Sequence, residues 1–158
     1  SDGPTVRNRQ LLVPEPTALK ALDSDSILVR VSGTEIQYLS KAQWSDRLPR
    51  MVQSKLVEAF ENSGKLGGVG KPGQGLAIDY QLVSDIRAFE IVSSGSRTAN
   101  VEISVKILND RNGTVKTQKS FSASEPVSGS ENRTYIKALD RAFSRVSADI
   151  VDWTLRSL

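Results

Sequence analysis

Residues 44–60 read WSDRLPRMVQSKLVEAF, from Trp44 to Phe60, and the spacing of their apolar members decides the fold. Trp44, Leu48, Met51, Val52, Leu56, Ala59 and Phe60 recur at the helical i, i+4, i+7, i+8 interval, which lines them along one face. Asp46, Arg47, Arg50, Lys55, Glu58 and Glu61 fall on the other face. Proline lacks an N–H and clashes with the preceding turn, so Pro49 fits a first helical turn and not an interior. The helix proper then runs from about Leu48 to Asn62, with Trp44 to Leu48 as a lead-in turn and Gly64 as a left-handed cap. Such a helix needs a surface to lie on. The flanking sequence supplies sheet on both sides.

Upstream, Gln10–Val13 is a short strand ended by Pro14 and Pro16. Ile27–Val31 and Glu35–Leu39 are two more, parted by Ser32-Gly33. Residues 1–9 (SDGPTVRNR) are polar, contain Gly and Pro, and read as a flexible tether, leaving residues 10–158 as one domain. Downstream, residues 64–75 (GKLGGVGKPGQG) read as a flexible surface connection. Leu76–Val92 is strand-like and long enough to contain a bend or bulge around Asp85. Ala99–Leu108 alternates, with Val101, Ile103, Val105 and Ile107 on one face, and Val115–Ala123 returns.

The turn between these last two strands fixes a register. A two-residue loop at Asn112-Gly113 would set Ile103 against Ser122 and Val105 against Ser120. A three-residue loop, Arg111-Asn112-Gly113 with Gly113 in the left-handed bulge position, instead pairs Ile103 with Phe121 and Ile107 with Thr117. The second register keeps apolar opposite apolar. Glu131–Leu155 is a second long helix whose buried stripe holds Tyr135, Leu139, Ala142, Phe143, Val146, Ile150 and Trp153. The element order implies an α/β domain, α+β-like, with a mixed sheet and two long helices packed on it.

The chemistry open to this chain is narrow. It has no Cys and no His, which excludes Cys or His zinc sites, thiol catalysis, disulfides and His-based triads. Gly68-Val69-Gly70-Lys71-Pro72-Gly73 formally matches GxGxxG, but a nucleotide site needs a helix to start there, and here a strand follows. Asp79, Asp85 and Glu90 share one strand, yet without a bulge Asp79 and Asp85 face away from Glu90, so no acid–base or metal pair forms. Trp44 and Trp153, at helical spacing among aliphatic neighbours, read as core residues before ligand-stacking ones. Tyr38 and Tyr80 are left open between packing under a helix and lining a groove. The 21 Lys and Arg against 18 Asp and Glu leave +3, scattered along the chain, which argues against a nucleic-acid partner. No apolar run reaches the roughly 18 residues that span a bilayer, and a chain opening on Ser1 reads as processed or trimmed.

Three stretches resemble the ABC-type transport auxiliary lipoprotein family, partners of mammalian-cell-entry (MCE) domain transport systems in Gram-negative bacteria. The first runs Pro16-Thr-Ala-Leu-Lys-Ala-Leu-Asp-Ser-Asp-Ser-Ile-Leu-Val-Arg; the second is Ile36-Gln-Tyr-Leu, then Trp44-x-x-x-Leu-Pro and its helix. The third is Asp79-Tyr-Gln-Leu-Val-Ser-Asp-Ile-Arg-Ala-Phe-Glu, then the hairpin and a closing helix ending Val151-Asp152-Trp153. The resemblance implies a fold similar to the N-terminal domain of the Tol-system propeller protein. It further implies a lipidated Cys upstream of Ser1, a periplasmic place at the outer membrane, and a part in moving lipids or hydrophobic compounds. It brings no catalytic residues, cofactor or metal; Trp44, Leu48, Pro49, Leu82, Asp85 and Phe89 match its motif and are expected to determine the fold.

Two readings follow. The first is a non-enzymatic accessory subunit that docks an MCE-domain protein and its ABC transporter, with room for a ring-like homo-oligomer. The second is a periplasmic envelope-assembly or ligand-binding module of similar fold, such as a regulator of cell-wall machinery.

Overall fold

The computed structural model describes residues 3–158. In chain order the elements are β1 (Val6–Leu12), β2 (Thr17–Ala18), β3 (Ser26–Arg30), β4 (Ile36–Gln43), α1 (Leu48–Ser63) and β5 (Leu66–Gly70). Then come β6 (Tyr80–Val92), β7 (Thr98–Asn109), β8 (Val115–Pro126) and α2 (Asn132–Ser157). All the strands join one mixed sheet whose spine is β6. On one side β6 pairs antiparallel with β7, and β7 with β8. On the other it is lined in turn by β1, β2 and β3, all parallel to it. β5 extends the sheet beyond β1, and β4 beyond β3.

α1 begins as its sequence requires. Pro49 stands in the first turn, where no N–H is needed, and the Leu48 N–H goes instead to Ser24 O at 2.9 Å. Gly64, at φ 64°, ends the helix and donates to Glu61 O at 3.1 Å. Both helices pack on one face of the sheet. Leu48, Val52, Leu56 and Phe60 of α1 and Leu139, Ala142, Val146 and Ile150 of α2 are buried there. Leu82, Ile86, Phe89 and Ile91 meet them from β6, beside Val101, Ile103, Val105 and Ile107 from β7. Each such aliphatic side chain contributes about 1.5–3 kcal/mol relative to leaving it in water.

Leu82 and Phe89 are seven residues apart, so a regular strand would turn them to opposite faces. A bulge at Arg87 shifts the register between Ile86 and Ala88, and both then point into the core. The same shift moves Asp85 and Glu90 onto one face, since their partners Ser104 and Asn100 share a face of β7.

Ile103 faces Phe121 and Ile107 faces Thr117, as expected, but the turn holds four residues, 110–113, closed by the Asn109 N–H to Thr114 O at 2.9 Å, and a bulge at Lys116 restores the register. Gly113 lies at φ 69°, and a Cβ there would meet nothing within 4 Å. Backbone strain alone therefore sets the cost of replacement. Gly113→Val should destabilise by about 1–2 kcal/mol, and Gly113→Asn by clearly less, in paired thermal melts.

Three expectations are corrected. Residues 6–9 are not tether but the start of β1, which pairs with β5 from Val6↔Leu66 to Leu12↔Gly70. Arg7 and Asn8 project outward, so their polarity hid a backbone held by hydrogen bonds. Gly3 is already buried and accepts a hydrogen bond from Lys65 Nζ; residues 1 and 2 of the expected tether lie outside the described residues. The Gly-rich segment is not wholly a loop either, because Leu66–Gly70 forms β5. The first of the three long strands, β6, starts at Tyr80, after an irregular lead, and not at Leu76.

Candidate functional site

The motif residues occupy two places. Trp44, Leu48, Pro49, Leu82 and Phe89 are buried on the helix side of the sheet. Trp44 stands edge-on to Phe89 at 5.6 Å, and Phe89 lies 5.7 Å from Phe143, which forms an aromatic row from the lead-in of α1 to α2. Asp85 is on the opposite face, where it accepts from Thr17 Oγ1 at 2.6 Å and pairs with Arg87 at 2.5 Å. Glu90 is occupied by Arg30 at 2.9 Å, and Asp79 accepts the Gln10 N–H at 2.8 Å. Each carboxylate of β6 and its lead is thus committed to a structural partner. Among the described residues no three acidic, Cys or His side chains gather as metal ligands, and no helix is long and apolar enough to cross a membrane.

Trp153 is only half-buried and packs edge-on against Phe121 of β8 at 5.6 Å. Tyr80 sits between two cations, Lys116 Nζ at 4.9 Å and Arg9 at 5.9 Å from its ring. Tyr38 is exposed on the helix-free face, with its hydroxyl toward Ala21 O at 3.5 Å. Ile36 shares that face two residues away, and Leu19, in the turn beside Ala21, is 80% exposed. Together they form an apolar patch with no cover.

At the end of β8, Glu125 accepts from Arg145 at 2.7 Å and Arg141 at 3.3 Å, which ties the sheet edge to α2. The Arg145 hydrogen bond, then that of Arg141, holds the Glu125 carboxyl below the usual carboxylate range. A lowered folded value means this contribution is present above about pH 4.3 and is lost as pH falls through the lowered value. Glu125→Gln should therefore flatten the acid side of a stability-against-pH curve from urea melts. The change will be small, because both arginines are more than half exposed.

An apolar cavity behind Trp44 was not foreseen from the sequence. About 360 Å³ opens between the end of β4, α1 and α2, walled by Trp44, Met51, Val52, Phe89, Ile136 and Phe143. Lys55, Lys137 and Asp140 stand around it. A wider cleft of about 880 Å³ adjoins it and shares Gln43, Ile136 and Lys137 as common wall. Lys41, Arg133 and Lys137 are the charged residues of that cleft, and no acidic side chain lines it.

The cleft exists because β4 bulges. Ser26 pairs with Gln43 but Leu28 with Tyr38, so two steps along β3 match five along β4. The surplus carries Lys41, the one described non-glycine residue at positive φ (59°), away from the ladder. Asn132 Nδ2, in the first turn of α2, holds the bulge by donating to Ser40 O at 2.8 Å. The only trace of this in the sequence is the Lys41-Ala42-Gln43 interruption between strand and helix.

The family model described as "ABC-type transport auxiliary lipoprotein component" matches residues 1–151. The chain belongs to this family. A crystal structure of a Xanthomonas campestris protein of the DUF330 family is 31% identical, with a TM-score of 0.86 over 94% of this chain and 84% of that one. An uncharacterised Bradyrhizobium diazoefficiens protein is 30% identical over 155 residues, 97% of this chain but 42% of that protein. The auxiliary-component domain described here thus spans less than half the length of that relative. PelC from Paraburkholderia phytofirmans, solved as a dodecamer, shares the fold at 10% identity and a TM-score of 0.57.

Proposed function

We propose that this domain is a non-enzymatic docking subunit of an MCE-type ABC transport system that moves lipids or hydrophobic compounds between the inner and outer membranes. The family match across residues 1–151 carries the reading. The committed carboxylates of β6 and the uncovered patch at Leu19, Ile36 and Tyr38 support it: the surface is fitted to contact and not to bond chemistry. In this reading a lipidated Cys upstream of the described domain holds it at the periplasmic face of the outer membrane. A ring-like homo-oligomer belongs to the same picture, as PelC's dodecamer illustrates for a distant fold relative.

Affinity capture from envelope extracts tests it. The wild-type domain should recover an MCE-domain protein and its ATPase subunits. The double variant Leu19→Glu, Tyr38→Glu should lose at least about tenfold of that yield while melting within a few degrees of wild type, since both residues are solvent-facing. Recovery of a cell-wall synthase in place of the transporter would transfer the domain to the envelope-assembly reading.

A further inference from the structure

We propose that the cavity behind Trp44 and the basic cleft beside it form one binding site for a single-chain amphiphile with an anionic head, of the long-chain fatty-acid class. The alkyl chain would lie among Trp44, Met51, Val52, Phe89, Ile136 and Phe143, and the head beside Lys41, Arg133 and Lys137. This adds a lipid contact to the docking role and rests on that reading for its biological setting only.

Three observations converge. The cavity's volume, about 360 Å³, falls at the small end of the range that ligand pockets occupy, and its lining is mainly aliphatic and aromatic. The cleft that opens from it carries three cations and no anion, so its charge complements a carboxylate or phosphate head. Arg133 has no ion-pair partner among the described residues, whereas most of the other arginines are paired. Trp44 is 9% exposed and its indole N–H has no hydrogen-bond partner among the described residues; the alkyl chain offers it no acceptor, so this N–H reports occupancy of the cavity and does not bind the head.

The site is unlike the other hollows. The groove between α1 and α2 mixes Lys55, Glu58 and Asp140 with serines. The cleft on the helix-free face is polar, and Ser104 and Ser120 satisfy each other there at 2.6 Å. The Trp44 cavity joins an apolar hole, with Asp140 and Lys55 at its mouth, to a cleft whose charged residues are all cations.

The test is a titration of the ¹⁵N-labelled domain, following its two indole N–H resonances. Dodecanoate, dodecyl phosphate, dodecyltrimethylammonium and dodecyl maltoside are each added below their micelle-forming concentrations, with acetate as the head-only control. Both anionic amphiphiles should shift the Trp44 resonance saturably and leave Trp153, on the far side against Phe121, in place. The cationic amphiphile should bind at least about tenfold more weakly. Arg133→Glu with Lys137→Glu, both exposed, should weaken dodecanoate about tenfold and improve the cationic amphiphile. Ile136→Trp should fill the cavity and abolish the shift; if it unfolds instead, the double charge variant still decides. Equal binding of all four heads, an equal response to acetate, or Trp153 moving in parallel with Trp44 overturns the site. Loss of dodecanoate binding with the transporter still captured sinks this inference alone; the reverse result sinks the docking reading alone.

Discussion

Phe89→Ala should lower stability by about 3–5 kcal/mol, the cost of emptying an aromatic site in a packed core. Phe89 is 3% exposed and is the middle member of the row Trp44–Phe89–Phe143, so its loss unmakes two ring contacts at once. Removing the ring also joins new void to the adjoining cavity, and the walls have little freedom to collapse. Trp44 is held by its backbone N–H, which donates to Asp25 O at 2.7 Å, and Phe143 by its place in α2. For a domain whose whole stability is about 5–15 kcal/mol, this is a large fraction of the total. Urea denaturation should show a fall in midpoint with an unchanged slope, the sign of lost packing without a changed denatured state. Phe89→Leu, which keeps much of the volume, should cost about half as much. If Phe89→Ala melts within a degree of wild type, the ring is not a determinant of the fold.

Phe89 also shows what the sequence does and does not disclose. Its burial follows from its apolar neighbours, but its direction does not: counting from Leu82 puts it on the wrong face. The strand's length allows for a bend or bulge around Asp85, but its place at Arg87, which corrects the count, is a property of pairing with β7. Other features were local and so could be read directly. Pro49 and Gly64 bound α1 because each acts through its own backbone, and the hairpin could be read because only one register sets apolar against apolar. β5 and the first half of β1 were missed for the converse reason. Their strand character comes from each other, across about sixty residues of chain, and their side chains include arginines and glycines that alone signal loop. The cavity and its basic cleft depend on three elements meeting at the β4 bulge, so no window of sequence contains them.

The second large effect falls on that hidden pair. Gly67→Val should destabilise by about 3 kcal/mol and lower the melting temperature by roughly 5–10 °C. A Cβ at Gly67 would lie 2.4 Å from Arg7 O and 3.0 Å from Arg9 O, and both are backbone atoms that cannot swing aside. The crowding has a structural cause: β1 takes four steps from Val6 to Gln10 while β5 takes two from Leu66 to Gly68, and the bulged carbonyls lean over the residue between. Gly68→Val is the control. Its Cβ would meet only the Gln10 side-chain end, Oε1 at 2.7 Å, which can rotate away, so the loss should be well under half as large. Amide exchange should locate the damage, with protection falling at Leu11, Leu12 and Val69 while Ile103 and Val105 in β7 keep theirs. Equal losses for the two glycines would mean that β1 and β5 do not pair in this register. Residues 6–9 would then return to the tether, and with them the flexible reach that the ordered β1 denies to that part of the chain.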